Sequence, residues 1–230
     1  MGCYSSNSNS GLETLHPSGE GGQPNSEWSN LPGFKNYENA KQAIGTKGRT
    51  MSIERAAKGA NPYYQGGAAE FTENCQRAVV AYEMRRRGYD VIASPTYKGD
   101  ILPTTAFVNS KTGRVYKRYM GAFKNAKSEM IGAKSPDTTL TNIENKMKSF
   151  GDGARATLAF GWKRGKTGHV INVEYKNGKV QYVDAQVGGK YTGKELMKAI
   201  KTETASLTRT DNLKISDRIK NSVEQKNRRR

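Results

Sequence analysis

The chain is poor in the residues that most often bind metals or run redox chemistry: its 230 residues include two cysteines, Cys3 and Cys75, and two histidines, His16 and His169. No CxxC pair or cysteine/histidine metal spacing is present, so no metal and no cofactor is expected. The two cysteines sit in unlike surroundings, one in a polar tail and one in a helical stretch, which argues against a disulfide framework. No run approaches the ~20 apolar residues of a membrane span, and the N-terminus lacks the apolar core of a secretory signal peptide. Acidic residues are also scarce, 21 against 38 lysines and arginines, leaving a net charge of +17. That excess favours encounter with an acidic protein surface, nucleic acid or anionic lipid without choosing among them. With no zinc finger, RNA-recognition motif or basic zipper, a solvated basic surface ending in Asn227–Arg230 is the plainer reading.

What is present divides into three parts. Residues 1–50 are dominated by Ser, Asn, Gly and Pro and read as a disordered polar leader, unable to bury enough apolar area to offset its ordering entropy. Within it, Met1-Gly2-Cys3-Tyr4-Ser5-Ser6 fits the N-myristoylation pattern, with Gly2 as acceptor and Cys3 placed for a second acyl chain. A match this short also arises by chance, and membrane association is expected only if the site is used. Residues 51–215 read as one globular domain, and 216–230 as a basic tail with a marginal helix to about residue 225. His16, in the leader, reads as an ordinary exposed histidine.

The most informative stretch runs from Gly168 to Gln186. Asn177-Gly178 lies between two runs rich in Val, Ile and Tyr, the signal for a tight hairpin whose turn needs positive φ at both central residues. A two-residue loop there pairs residues whose numbers sum to 355, so His169 faces Gln186 and Ile171 faces Asp184. Side chains alternate along a strand, which places His169, Ile171, Asp184 and Gln186 on one side of the sheet. Asp184 is then the diagonal neighbour of His169 at about 7–8 Å between Cα atoms. A carboxylate at that distance can hold one imidazole nitrogen and leave the other to move protons. The pair is two-thirds of a triad and wants a nucleophile.

Cys75 is the candidate. Phe71, Cys75, Ala78, Val79 and Tyr82 recur at helical spacing, Thr72 is the expected N-cap, Arg85-Arg86-Arg87 suits the C-terminal dipole, and Gly88 closes the helix. Cys75 then lies in the first turn, where unpaired N–H groups favour a thiolate. The competing reading is a buried small hydrophobe. Beyond the helix, 89–93 reads as a strand, 105–108 and 114–119 as a hairpin, and about 137–150 as an amphipathic helix. Residues 155–162 read as a half-buried strand, completing a three-strand meander with the hairpin, and Thr192-Gly193-Lys194-Glu195 as a capping box. The segment 207–211 is expected back in the sheet. The class is α+β, a nucleophile helix packed on a small antiparallel sheet.

A helix bearing cysteine followed by a sheet bearing histidine and then an acid is the layout of papain-like cysteine enzymes. The stretch from Glu73 to Val91 resembles the nucleophile helix of the papain-fold toxin domain, a glutamine deamidase of bacterial polymorphic toxins, effectors and some phage-head-associated proteins. Gly168-His169-Val170 and Val183-Asp184-Ala185-Gln186 resemble its histidine and acid motifs, with Ala185 where proline is customary. Arg209-Thr210-Asp211 is similar as well, so the likeness spans about residues 60–215. It implies Cys75 as nucleophile, His169 as acid/base and Asp184 as orienting residue, acting on a glutamine of a target protein. Backbone N–H groups at the helix start are the first choice of oxyanion donor. Asn74 and Gln186 are the side-chain candidates for oxyanion or substrate positioning, and Gln65 is the only glutamine nearby upstream. The same residues could serve a peptidase or a transglutaminase. From another class, a non-enzymatic basic phage or mobile-element protein associated with nucleic acid stays open. The resemblance also implies an immunity protein as partner, and a secreted or delivered effector acting in a target-cell cytosol.

Overall fold

A computed structural model describes residues 37–96, 106–108, 115–165 and 167–226. Its elements are α1 (Ala40–Ile44), α2 (Ile53–Ala60), α3 (Ala69–Thr72), α4 (Cys75–Arg86), β1 (Val91–Ala93), β2 (Ala106–Val108), β3 (Val115–Lys117) and β4 (Glu129–Met130). They continue with α5 (Pro136–Phe150), β5 (Arg155–Trp162), β6 (Gly168–Lys176), β7 (Lys179–Asp184), β8 (Gly189–Tyr191), α6 (Gly193–Ala199), β9 (Ile200–Arg209) and β10 (Val223–Gln225). The α+β expectation holds.

A six-stranded antiparallel sheet in the order β4-β9-β5-β6-β7-β8 carries the domain. Strand alternation divides its side chains between two cores. Leu158, Phe160, Ile171, Val173, Tyr182 and Leu207 pack with Ile143 and Met147 of α5 and with Leu196 and Met197 of α6. Their neighbours Ala159, Val170 and Val183 face the other way, onto Val79 and Val80 of α4 and Ala56, Ala57 and Ala60 of α2. The period of two is what lets one sheet serve both layers.

The meander β5-β6-β7 forms in the expected register, with Asn172 opposite Val183 and Lys176 opposite Lys179. Asn177 and Gly178 take φ of 52° and 76° at the turn, as that turn type demands. The hairpin of β2 and β3, the helix α5 and the Thr192/Glu195 capping box also appear where expected.

Several expectations are corrected. Thr72 ends the short helix α3, and the N-cap of α4 is Asn74, whose side chain makes no capping bond. The leader shrinks from its C-terminal side: residues 40–44 are helical, with Ala43 and Ile44 buried in the α4 core, because this short polar segment still has two apolar positions to dock. Residues 1–36 lie outside the described residues. The tail is shortened too, since Ile219 and Val223 are buried and β10 pairs with β1. The segment 207–211 joins the sheet as the end of a ten-residue strand, β9, between β4 and β5.

Candidate active site

Helix α4 is buried along nearly its whole length, from Cys75 to Arg85. Such a helix cannot lean on solvent at either end, so its polar ends must find partners inside the protein. At the C-terminal end they are charges. Glu83, fully buried, accepts from Arg155 Nε at 2.8 Å and from Arg87 Nε at 2.7 Å. Glu174 of β6, equally buried, accepts from Arg86 Nε at 2.9 Å and from the Tyr82 hydroxyl at 3.0 Å. Arg86 also donates to the Met51 carbonyl. The three arginines read from sequence as dipole-compensating cations are therefore mostly structural ion-pair partners.

At the N-terminal end the partners of Asn74 are neutral. The Asn74 carbonyl accepts from the N–H groups of Arg77 and Ala78 at 2.9 and 3.0 Å, closing the first turn. Its side chain exchanges hydrogen bonds with Asn61, each amide donating to the other's oxygen at 3.0 Å. The two hydrogens of the Asn61 amide are shared among Asn74 Oδ1 and the Phe71 and Gln186 carbonyls, the last two at 2.8 and 3.0 Å, and Asn74 donates to the Ser94 carbonyl at 3.3 Å. Three backbone carbonyls need donors here, which settles how both amides are oriented. The hydrogens of Asn74 are thus committed inside the protein.

Cys75, the first residue of α4, is buried, and its sulfur is in a disulfide. That corrects the argument against a disulfide: a single bridge leaves no signature in cysteine spacing. The chain's other cysteine, Cys3, lies outside the described residues, as does Gly2.

His169 Nε2 lies 2.8 Å from Asp184 Oδ2, with both side chains buried. The hairpin register has brought the diagonal pair together as alternation predicts. Burial alone would raise the Asp184 carboxyl, but the charge and hydrogen bond of His169, the Tyr191 hydroxyl and the Gln186 N–H together hold it below its ordinary value. A carboxylate that stays ionised accepts, so Nε2 donates and proton traffic falls to Nδ1. Phe160, directly opposite His169, meets its ring edge-on at 5.9 Å, and Trp162 stacks on it at 5.5 Å and 21°. The imidazole is roofed by aromatic carbon, which keeps water from competing for the bond to Asp184.

Parity groups His169 with Ile171 and Val173, on the face opposite α4, whereas Asn172 and Glu174 on the near face bond to the helix. The connection between the His169/Asp184 pair and the Cys75 turn therefore runs around the end of the sheet. Gln186 carries it: its N–H donates to Asp184 Oδ1 at 3.1 Å, its side chain to the Thr72 carbonyl at 2.8 Å, and its own carbonyl accepts from Asn61.

Three contributors were not foreseen. Asn61 stands in a loop that sequence marks only as ordered. Trp162 belongs to the apolar face of β5, and only the register opposite His169 gives it a role. Tyr191 lies on β8, for which Gly188-Gly189 was the available turn signal.

The model of the family described as papain fold toxin 1, glutamine deamidase matches residues 73–189, half of the chain, from the α4 start through the hairpin and into β8. No curated protein and no solved structure matches the chain.

Proposed function

The chain belongs to the papain fold toxin 1, glutamine deamidase family, and from that premise we propose that it hydrolyses the side-chain carboxamide of a glutamine in a target protein, with Cys75, His169 and Asp184 as its triad. The observation that carries this reading is the 2.8 Å bond between His169 and Asp184, tied through Gln186 and Asn61 to the turn that starts the Cys75 helix.

Cys75 must first be released from its disulfide by a thiol reductant, whose sulfur bonds to the partner sulfur and expels Cys75 as a thiolate, while the proton the reductant gives up is taken by His169 as imidazolium. The thiolate adds to the carboxamide carbon, and His169 delivers a proton to nitrogen as the carbon–nitrogen bond breaks. Ammonia leaves and a thioester remains. His169 then takes a proton from water, the resulting hydroxide adds to the thioester, and collapse expels the Cys75 thiolate and yields glutamate. Backbone N–H groups at the α4 start are the proposed donors to the oxyanion. Asn74 acts by shaping that turn through Asn61, and Gln186 by joining it to Asp184.

The biological role we assign is that of a bacterial toxin or effector delivered to a target-cell cytosol, held in check by an immunity protein. Its surplus of positive charge suits an acidic substrate surface. Lipid anchoring through Gly2 and Cys3 would add a membrane address. The test is mass spectrometry of host proteins exposed to reduced protein. A gain of about 1 Da at glutamine, absent with Cys75→Ala or without reductant, supports deamidation. Backbone cleavage would move the assignment to a peptidase, and glutamine–lysine crosslinks to a transglutaminase.

A further inference from the structure

Asp184 receives three donors: His169 of the triad, the Gln186 N–H that joins it to the Cys75 turn, and a tyrosine hydroxyl with no role assigned above. Tyr191 Oη lies 3.0 Å from Asp184 Oδ2, the same oxygen that His169 Nε2 approaches, while the Gln186 N–H takes Oδ1. Tyr191 comes from β8, whose pairing sets Gly189 opposite Asp184 and Tyr191 opposite Tyr182. The hydroxyl thus reaches back along the hairpin to the carboxylate. A tyrosine ring needs only packing at this edge of the sheet; an aligned O–H on a buried carboxylate is a further feature.

Building on the deamidase reading, we propose that Tyr191 is a positioning residue, whose hydroxyl fixes and stabilises the Asp184 carboxylate and thereby keeps His169 oriented and competent over a wider acidic range. The groups facing the carboxylate are His169 from β6, Tyr191 from β8 and the Gln186 backbone; Tyr64 faces Tyr191 in turn. A hydrogen bond to a charged acceptor is among the stronger kinds. Without it, Asp184 has one donor fewer against the same desolvation, and it takes up a proton at a higher pH. The Tyr191 hydroxyl is itself held protonated across the working range by burial and by the Asp184 charge, so it remains a donor.

The experiment is the pH dependence of Cys75 alkylation by iodoacetamide in the reduced full-length protein, for wild type, Tyr191→Phe, Tyr191→Ala and His169→Ala. It needs no substrate, so it is separable from the identity of the target. The expected result is an acid limb moved upward by about one pH unit in both Tyr191 variants, and about tenfold slower alkylation where wild type is still fast. With a deamidation substrate, kcat should fall with little change in KM. An acid limb in Tyr191→Phe that coincides with wild type, with only Tyr191→Ala impaired, would reduce Tyr191 to packing and overturn the proposal. If His169→Ala leaves alkylation unchanged at every pH, the triad reading fails, and this proposal with it.

Discussion

Helix α4 is held at its start by Asn61, Asn74 and Gln186 through neutral amide bonds, and at its end by Arg86, Arg87 and Arg155 closing on Glu83 and Glu174. The two ends meet different demands. Buried charges closed into pairs tie the helix to β5 and β6, and breaking such a pair strands its partner without solvation. A neutral amide cluster fixes the geometry of a turn with little charge of its own. At the Cys75 end this matters because the amide clamp adds no charge of its own to the turn, and the buried cation there, Arg77, is held by the Asn221 carbonyl and the Thr96 hydroxyl. The molecule keeps its strongest electrostatics at one end of the helix and its proposed chemistry at the other.

This contrast can be broken deliberately. Cys75→Ala should abolish glutamine deamidation, by at least about a thousandfold, with an unchanged circular dichroism spectrum; residual activity near wild type would remove the cysteine from the chemistry. Asp184→Asn should lower kcat by about 10²–10⁴-fold through the wrong imidazole tautomer, with a smaller change in KM, as steady-state kinetics would reveal. At the opposite end, Glu83→Gln strands Arg87 and Arg155 and should cost about 3–5 kcal/mol in urea unfolding. The activity of the molecules that remain folded should be preserved. Asn61→Ala should cost less stability, about 1–3 kcal/mol for the unpaired carbonyls, yet reduce kcat more than Glu83→Gln does. Equal losses of kcat in these two variants would erase the distinction between the ends.

The smallest effect is the pH dependence of stability from Asp184. Its carboxyl is lowered from 3.8 in the folded protein. Its contribution is therefore fully present above pH 3.8 and is lost only as pH falls through the lower folded value. The difference in unfolding free energy between wild type and Asp184→Asn should shrink as pH falls below 3.8, which acid titration of the unfolding midpoint would measure.

Much of the site was legible in the chain. Asn177-Gly178 admits few turns, and its position carried the whole register with it, so the meeting of His169 and Asp184 followed from counting residues. Cys75 at the start of a helix was readable from apolar spacing, although the cap moved from Thr72 to Asn74. The α4 arginines stand at the helix end as expected, but their acceptors could not be read, because Glu174 is 88 residues from Arg86. Asn61 was invisible for the same reason, its bond to the Gln186 carbonyl spanning 125 residues. The strands β8 and β10 are three residues each, too short for an alternating pattern to register.

By itself, then, the sequence determined the tight turn, the face on which each strand residue lies and the helical start at Cys75, because backbone preference and side-chain alternation act over a few adjacent residues. Only the tertiary structure decided which charges are buried, which amides clamp the α4 turn, that the sulfur is bridged and that Tyr191 reaches Asp184. Those depend on groups far apart in the chain, and their proximity exists only once the sheet has closed around the helix.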